Sequence, residues 1–163
     1  RDHLAGSPFL ALLPDNLFQG PNPTAAVAAS FCATGLATVL LAEIAREDGA
    51  AKGPTGRAAV RSTADGALRI TDVADKGTGR FDTAGEATAM TPVGRMAFPG
   101  GVLEEFENVG RSLPAGVELD DVPVLQRLAR RDALAGVISR AVFFDVGVPE
   151  GYRDAVAAFP LRV

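Results

Sequence analysis

Pro8-Phe9-Leu10-Ala11-Leu12-Leu13-Pro14-Asp15 is an uninterrupted apolar run closed by a proline and a carboxylate. Short continuous apolar runs are how strands buried on both faces read. The stretch predicts a buried parallel strand that delivers Asp15 at its C-terminal end, the edge where open α/β sheets hold ligands. Aspartate is also a common turn or helix-cap residue, and that reading stands beside the functional one.

The pattern continues on both sides of a helix. Asn22-Pro23 opens an Ala-rich helix over 24–33, and Gly35 is placed to end it. Residues 37–45 (ATVLLAEIA) read as a strand, with helix left open by the alanines. A Gly-rich loop over 46–56 precedes two strands, 57–61 and 67–73, joined by an Asp65-Gly66 hairpin turn. A loop over 75–86 leads to a strand over 88–98, stopped by Pro99-Gly100-Gly101. Helices are expected over 102–109 and 120–131, the second with Val122, Leu125 and Leu128 on one face. Residues 134–144 read as one strand ending at Asp145, and a last helix runs over 150–159. Strands alternating with helices predict an α/β fold with a mixed, mostly parallel sheet. No repeat or linker divides the chain, so 1–163 is read as one domain.

Composition narrows the function. With 163 residues, 47% apolar and 22% charged, the chain can bury a core. A net charge of −4 gives no reason to expect nucleic acid or an anionic membrane as partner. The apolar stretch 31–45 is too short and too polar to span a bilayer. One cysteine, Cys32, cannot form an internal disulfide, and no signal-peptide pattern follows Arg1. A soluble, cytoplasmic protein is expected, with Cys32 as a small buried thiol. His3 is the only histidine, which leaves neither a zinc cluster nor a credible Cys–His pair. The lack of an initiator Met suggests a fragment or a processed chain.

Six short motifs then occur in order: Leu13-Pro14-Asp15, Thr55-Gly56, Asp75-Lys76-Gly77, Val93-Gly94-Arg95, Glu118-Leu119-Asp120-Asp121, and Asp145-Val146-Gly147 followed by Gly151-Tyr152. Together they resemble the sugar-1-phosphate nucleotidyltransferases, most of all the UTP–glucose-1-phosphate uridylyltransferases. The resemblance covers nearly the whole chain and matches only the C-terminal portion of such a domain; the N-terminal half, with its Gly-rich nucleotide loop, has no counterpart. Asp75-Lys76-Gly77 also departs from the family's Glu-Lys-Pro.

The resemblance implies a nucleotide-diphospho-sugar transferase fold of Rossmann-like type and a Mg²⁺-dependent union of a nucleoside triphosphate, UTP foremost, with a sugar 1-phosphate, glucose 1-phosphate foremost. Asp15 and Asp145 would hold the Mg²⁺, and Lys76 would neutralise the sugar's phosphate. Gly56, Asp75, Gly94 and Glu118 would line the sugar pocket. Each has a plainer alternative: a solvated lysine, a turn aspartate, a loop glycine, a strand bulge, or a carboxylate at a helix start. Asn16 is either a positioning residue or a turn cap, and Arg95 is either ligand-facing or paired at the surface. An alternative function is a truncated or split relative acting as a sugar-phosphate-binding regulatory module or partner subunit. An apolar sheet edge left uncovered predicts a homo-oligomer or a part of a longer chain.

Overall fold

The centre of the computed structural model, which describes residue 4 and residues 6–159, is the strand β3 (Ala37–Ala45). Ala37, Val39 and Leu41 enter one core cluster, and Leu40, Ala42 and Ile44 enter another. This is the two-residue alternation of a strand covered on both faces, and it excludes the helix that the alanines left open. Leu40 and Leu41 are fully buried, each worth about 1.5–3 kcal/mol of transfer free energy.

The other strands are β1 (Phe9–Leu12), β2 (Asn16–Gln19), β4 (Ala58–Ser62), β5 (Leu68–Val73), β6 (Thr88–Phe98), β7 (Leu134–Ile138) and β8 (Val142–Asp145). The main sheet has the order β1-β6-β3-β7-β5-β4, and β2 and β8 form a separate ribbon. Among the described residues only β3 and β7 pair in parallel; the other pairings are antiparallel. The fold is α/β, but the expected mostly parallel sheet is corrected to a mixed, mostly antiparallel one. Parallel neighbours need long crossovers, whereas β4 and β5 are joined by the expected hairpin, with Gly66 at φ 81°.

Of two apolar runs each read as one strand, the first ends early and the second is divided. The first is not a buried parallel strand. β1 is an antiparallel edge strand with Leu10 and Leu12 exposed, and the chain turns at Leu13 before entering the ribbon as β2. The second run leaves the main sheet at Ser139, whose hydroxyl donates to Ala141 O and accepts from Ala141 N. It then resumes as β8. An apolar run reports burial and carries no mark of a change of sheet.

Helix α1 (Pro23–Thr34) starts as expected: Asn22 Oδ1 accepts from Thr24 N and Ala25 N, and Gly35 closes it at φ 67°. It covers one sheet face through Val27, and Cys32 is exposed, contrary to the expected buried thiol. Helices α2 (Val102–Ser112) and α3 (Val122–Arg130) contribute to the cluster on the opposite face. The loop over 46–56 contains a 3₁₀ turn, Arg46–Ala51, against which α4 (Pro149–Ala158) packs. No described helix is long and apolar enough to cross a membrane.

Candidate functional site

The β2–β8 ribbon assembles the site. Its register sets Asn16 opposite Asp145, and Val146 N donates to Asp15 O over 2.9 Å. Asp15 and Asp145, distant in sequence, are thereby brought to one place. A Cβ built on Gly147 would stand 3.1 Å from Asp145 Oδ1 and 3.2 Å from Asp15 Oδ2. The missing side chain of Gly147 therefore leaves the gap between the two carboxylates open.

Each carboxylate is held. Gly53 N donates to Asp145 Oδ2 at 2.7 Å, and Gly147 N donates to Asp145 Oδ1 at 3.1 Å. Asn16 Nδ2 donates to Asp15 Oδ1 at 2.8 Å, while Asn16 Oδ1 accepts from Gly94 N at 2.7 Å. Asn16 is buried, so it is a bridge between Asp15 and β6 rather than a solvated turn cap. Arg95 settles as a structural clamp. Its guanidinium donates to the carbonyls of Leu13, Gly94 and Asn16 and lies 4.9 Å from the centre of the Phe18 ring. Burial lowers its pKa from the ordinary arginine value.

Gly94 lies where β6 and β3 shift register. A Cβ there would stand 2.4 Å from Leu13 Cβ, so the turn that carries Asp15 can approach only a glycine. Gly151 does the same for the other carboxylate. A Cβ on it would lie 2.1 Å from Asp145 O.

Asp15, Asn16, Gly94, Asp145, Lys52 and Lys76 line a common cavity of roughly 200 Å³. Lys76 reaches it already paired, its Nζ 3.1 Å from Asp120 Oδ2 and 3.5 Å from Asp121 Oδ1. Burial pulls its ammonium down, but Asp121 and Asp120 outweigh that and hold its pKa above the ordinary lysine value. Gly56 sits behind Thr55, which is on the cavity wall; its missing Cβ would stand 2.1 Å from Ala74 O. Asp75 accepts from Gln126 Nε2 at 2.8 Å and is not part of the wall. Glu118 lies exposed in the coil before α3, also away from the wall. His3 lies outside the described residues.

Lys52 and Gly53 are the contributors that sequence reasoning missed. Lys52 is only 8% exposed, and its Nζ donates to Phe143 O at 2.9 Å. Burial lowers its pKa from the ordinary lysine value, against the pull of Asp145, Asp48 and Asp154. The one available signal was Lys52-Gly53-Pro54, a lysine before a Gly-Pro turn in the polar, Gly-rich loop over 46–56.

The residues present fit Mg²⁺. This ion takes one or two carboxylates and completes its octahedron with phosphate oxygens and water. Two tethered carboxylates around a glycine-sized gap are such a donor set. Among the described residues no group of three or more His, Cys, Asp or Glu gathers, so a cage made wholly of protein ligands is not offered.

No protein-family model matches the chain, and no curated protein matches it in sequence. Solved structures match its fold. The UTP-bound UGPase from Acinetobacter baumannii has a TM-score of 0.73 at 16% identity, over 99% of this chain and 54% of that one. A UDP-glucose pyrophosphorylase complexed with UDP-glucose has a TM-score of 0.75 at 19% identity, over 96% and 57%. A putative glucose-1-phosphate thymidylyltransferase from Bacillus anthracis, in complex with a sucrose, has 0.72 at 16%, over 96% and 56%. The chain has the fold of sugar-1-phosphate nucleotidyltransferases and spans about half the length of these structures.

Proposed function

We propose that the chain belongs to a nucleotidyltransferase that joins a nucleoside triphosphate, UTP foremost, to a sugar 1-phosphate, glucose 1-phosphate foremost, with Mg²⁺ held by Asp15 and Asp145. The observation that carries the reading is the convergence of these two carboxylates across Gly147, beside two lysines. Its context, a fold shared with UDP-glucose pyrophosphorylases, supports it.

In this reaction an oxygen of the sugar phosphate bonds to the α-phosphorus, and the bond from that phosphorus to the bridging oxygen breaks, releasing pyrophosphate. The reactants are both anions, so neutralisation and in-line placement are the main demands. Mg²⁺ supplies charge neutralisation for phosphate oxygens. Asp15 and Asp145 hold it, and Asn16, Gly53 and Gly147 fix their carboxylates. Lys76 is the cation proposed for the sugar's phosphate. Gly56, Asp75, Gly94 and Glu118 are assigned to the sugar side by resemblance alone, and of these Gly94 lines the cavity.

The alternative reading is a sugar-phosphate-binding module or partner subunit, for which the two carboxylates and two lysines of the cavity would equally serve. The test is pyrophosphate release by the full-length protein from UTP, glucose 1-phosphate and Mg²⁺. Release that is lost in Asp15→Asn and Asp145→Asn supports the enzyme. Mg²⁺-dependent binding of glucose 1-phosphate without release, across the common nucleoside triphosphates, selects the module.

A further inference from the structure

The two lysines of the cavity differ in how their charge is spent. Lys76 is engaged by two carboxylates. Lys52 forms no ion pair within 4.0 Å among the described residues; its ammonium has one acceptor, Phe143 O, and sits 5.0 Å from the centre of the Phe143 ring. An ammonium carries three donors, so two N–H bonds of Lys52 have no acceptor among the described residues. It is nevertheless buried, the one charged residue that is so among the described residues. Burying a cation without a full partner is costly, and such groups are kept where a ligand completes them.

The backbone holds Lys52 in place. Lys52 N donates to Gly49 O at 3.1 Å, Phe81 N donates to Lys52 O at 3.3 Å, and the next amide, Gly53 N, grips Asp145. Lys52 is thus fixed to the same short segment that orients a proposed metal ligand, and it stands in the wall between the cavity that contains Asp15 and Asp145 and a second one lined by Asp48 and Asp154.

We propose that Lys52 is the dominant phosphate-binding cation of this site, completing its hydrogen bonds on the oxygens of a phosphate monoester. The inference rests on the proposed function and deepens it by moving the main phosphate contact from Lys76 to Lys52. A cation in contact with two aspartates gains less from an arriving dianion than one whose nearest carboxylates, those of Asp145, Asp48 and Asp154, act on it from beyond 4.0 Å. Methionine approximates the length of the lysine stem without its charge, so Lys52→Met is expected to fold.

The experiment is calorimetric titration of the full-length wild-type, Lys52→Met, Lys76→Met and Asp145→Asn proteins with glucose 1-phosphate, inorganic phosphate and uncharged glucose. Lys52→Met is expected to weaken glucose 1-phosphate and phosphate by tenfold or more, to leave glucose unchanged, and to exceed the loss in Lys76→Met. In wild-type protein labelled with ¹⁵N at lysine Nζ, phosphate is expected to shift the Lys52 ammonium resonance, a readout that needs no variant. Unchanged phosphate affinity in Lys52→Met, or an unmoved Lys52 resonance, overturns the proposal. If Asp145→Asn alone loses Mg²⁺-dependent binding, the metal site stands without Lys52; if the wild type binds no phosphate compound, both readings fall.

Discussion

The amide of Gly53 donates to Asp145 Oδ2 across 2.7 Å, between residues 92 positions apart. Because Gly147 N holds the other oxygen, the Asp145 carboxylate is fixed from both sides before any ligand arrives. Carboxylates oriented in this way do not have to be reorganised when a cation binds.

Removing either proposed metal ligand, Asp15 or Asp145, is therefore expected to be severe. Asp15→Asn and Asp145→Asn retain the side-chain shape and lose the charge. Each is expected to lower turnover by roughly 10²-fold or more, measured as pyrophosphate release at saturating Mg²⁺. Wild-type turnover in the double variant would remove the metal site.

Gly147→Ala places a methyl within 3.2 Å of both carboxylates without a positive φ to strain. Mg²⁺ affinity is expected to fall sharply while the thermal midpoint stays near that of the wild type. Calorimetry with Mg²⁺, paired with a melting curve, separates the two effects. Unchanged affinity would show that the gap is not where the ion sits.

Asn16→Leu cuts the bridge from Asp15 to β6 and leaves Gly94 N without its acceptor. The buried unpaired amide costs about 1–3 kcal/mol, and loss of a group that orients a ligand costs about 10–100-fold in metal affinity. Denaturant unfolding and Mg²⁺ titration give the two numbers separately.

Lys76 sets a pH dependence. Its pKa is raised on folding, so its pairing contributes in full below the ordinary lysine value and is lost as pH climbs through the raised one. Stability should fall on that alkaline limb, and Lys76→Met should flatten it. The pair is partly exposed, so the variant should lose under about 1 kcal/mol at neutral pH. Parallel alkaline melting curves for the two proteins would contradict this.

Leu41→Ala empties a fully buried position between strands, against Gly136, where a Cβ would stand 2.8 Å from Leu41 Cδ1. The expected cost is about 2–5 kcal/mol, read from urea unfolding with an unchanged m-value.

The sequence made the elements legible where a local signal existed. Asn22-Pro23 and Gly35 bracket α1, Asp65-Gly66 marks the hairpin, and the apolar run at β3 marks the centre. Sheet direction was not legible, because parallel and antiparallel partners bury the same residues. Neither was the division of 134–144 between two sheets, which depends on a turn made by a single serine. Of the candidates named through motif order, Asp15, Asp145, Gly94 and Lys76 line one cavity. Lys52 escaped because a buried lysine looks like any loop lysine until the packing around it is known. Cys32 was misread because an Ala-rich helix has no stripe to tell its inner face from its outer one.

The ribbon gives the site a place in the order of folding. β2 and β8 close a loop that contains most of the chain, and closure entropy makes such long-range pairing slow. The helices and the β4–β5 hairpin involve near neighbours and can form early. The Asp15–Asp145 gap exists only after the ribbon zips, so recovery of Mg²⁺ binding during refolding should follow the slowest phase. A late-assembled binding site also means that ligand stabilises the whole closed chain, raising its melting temperature with concentration.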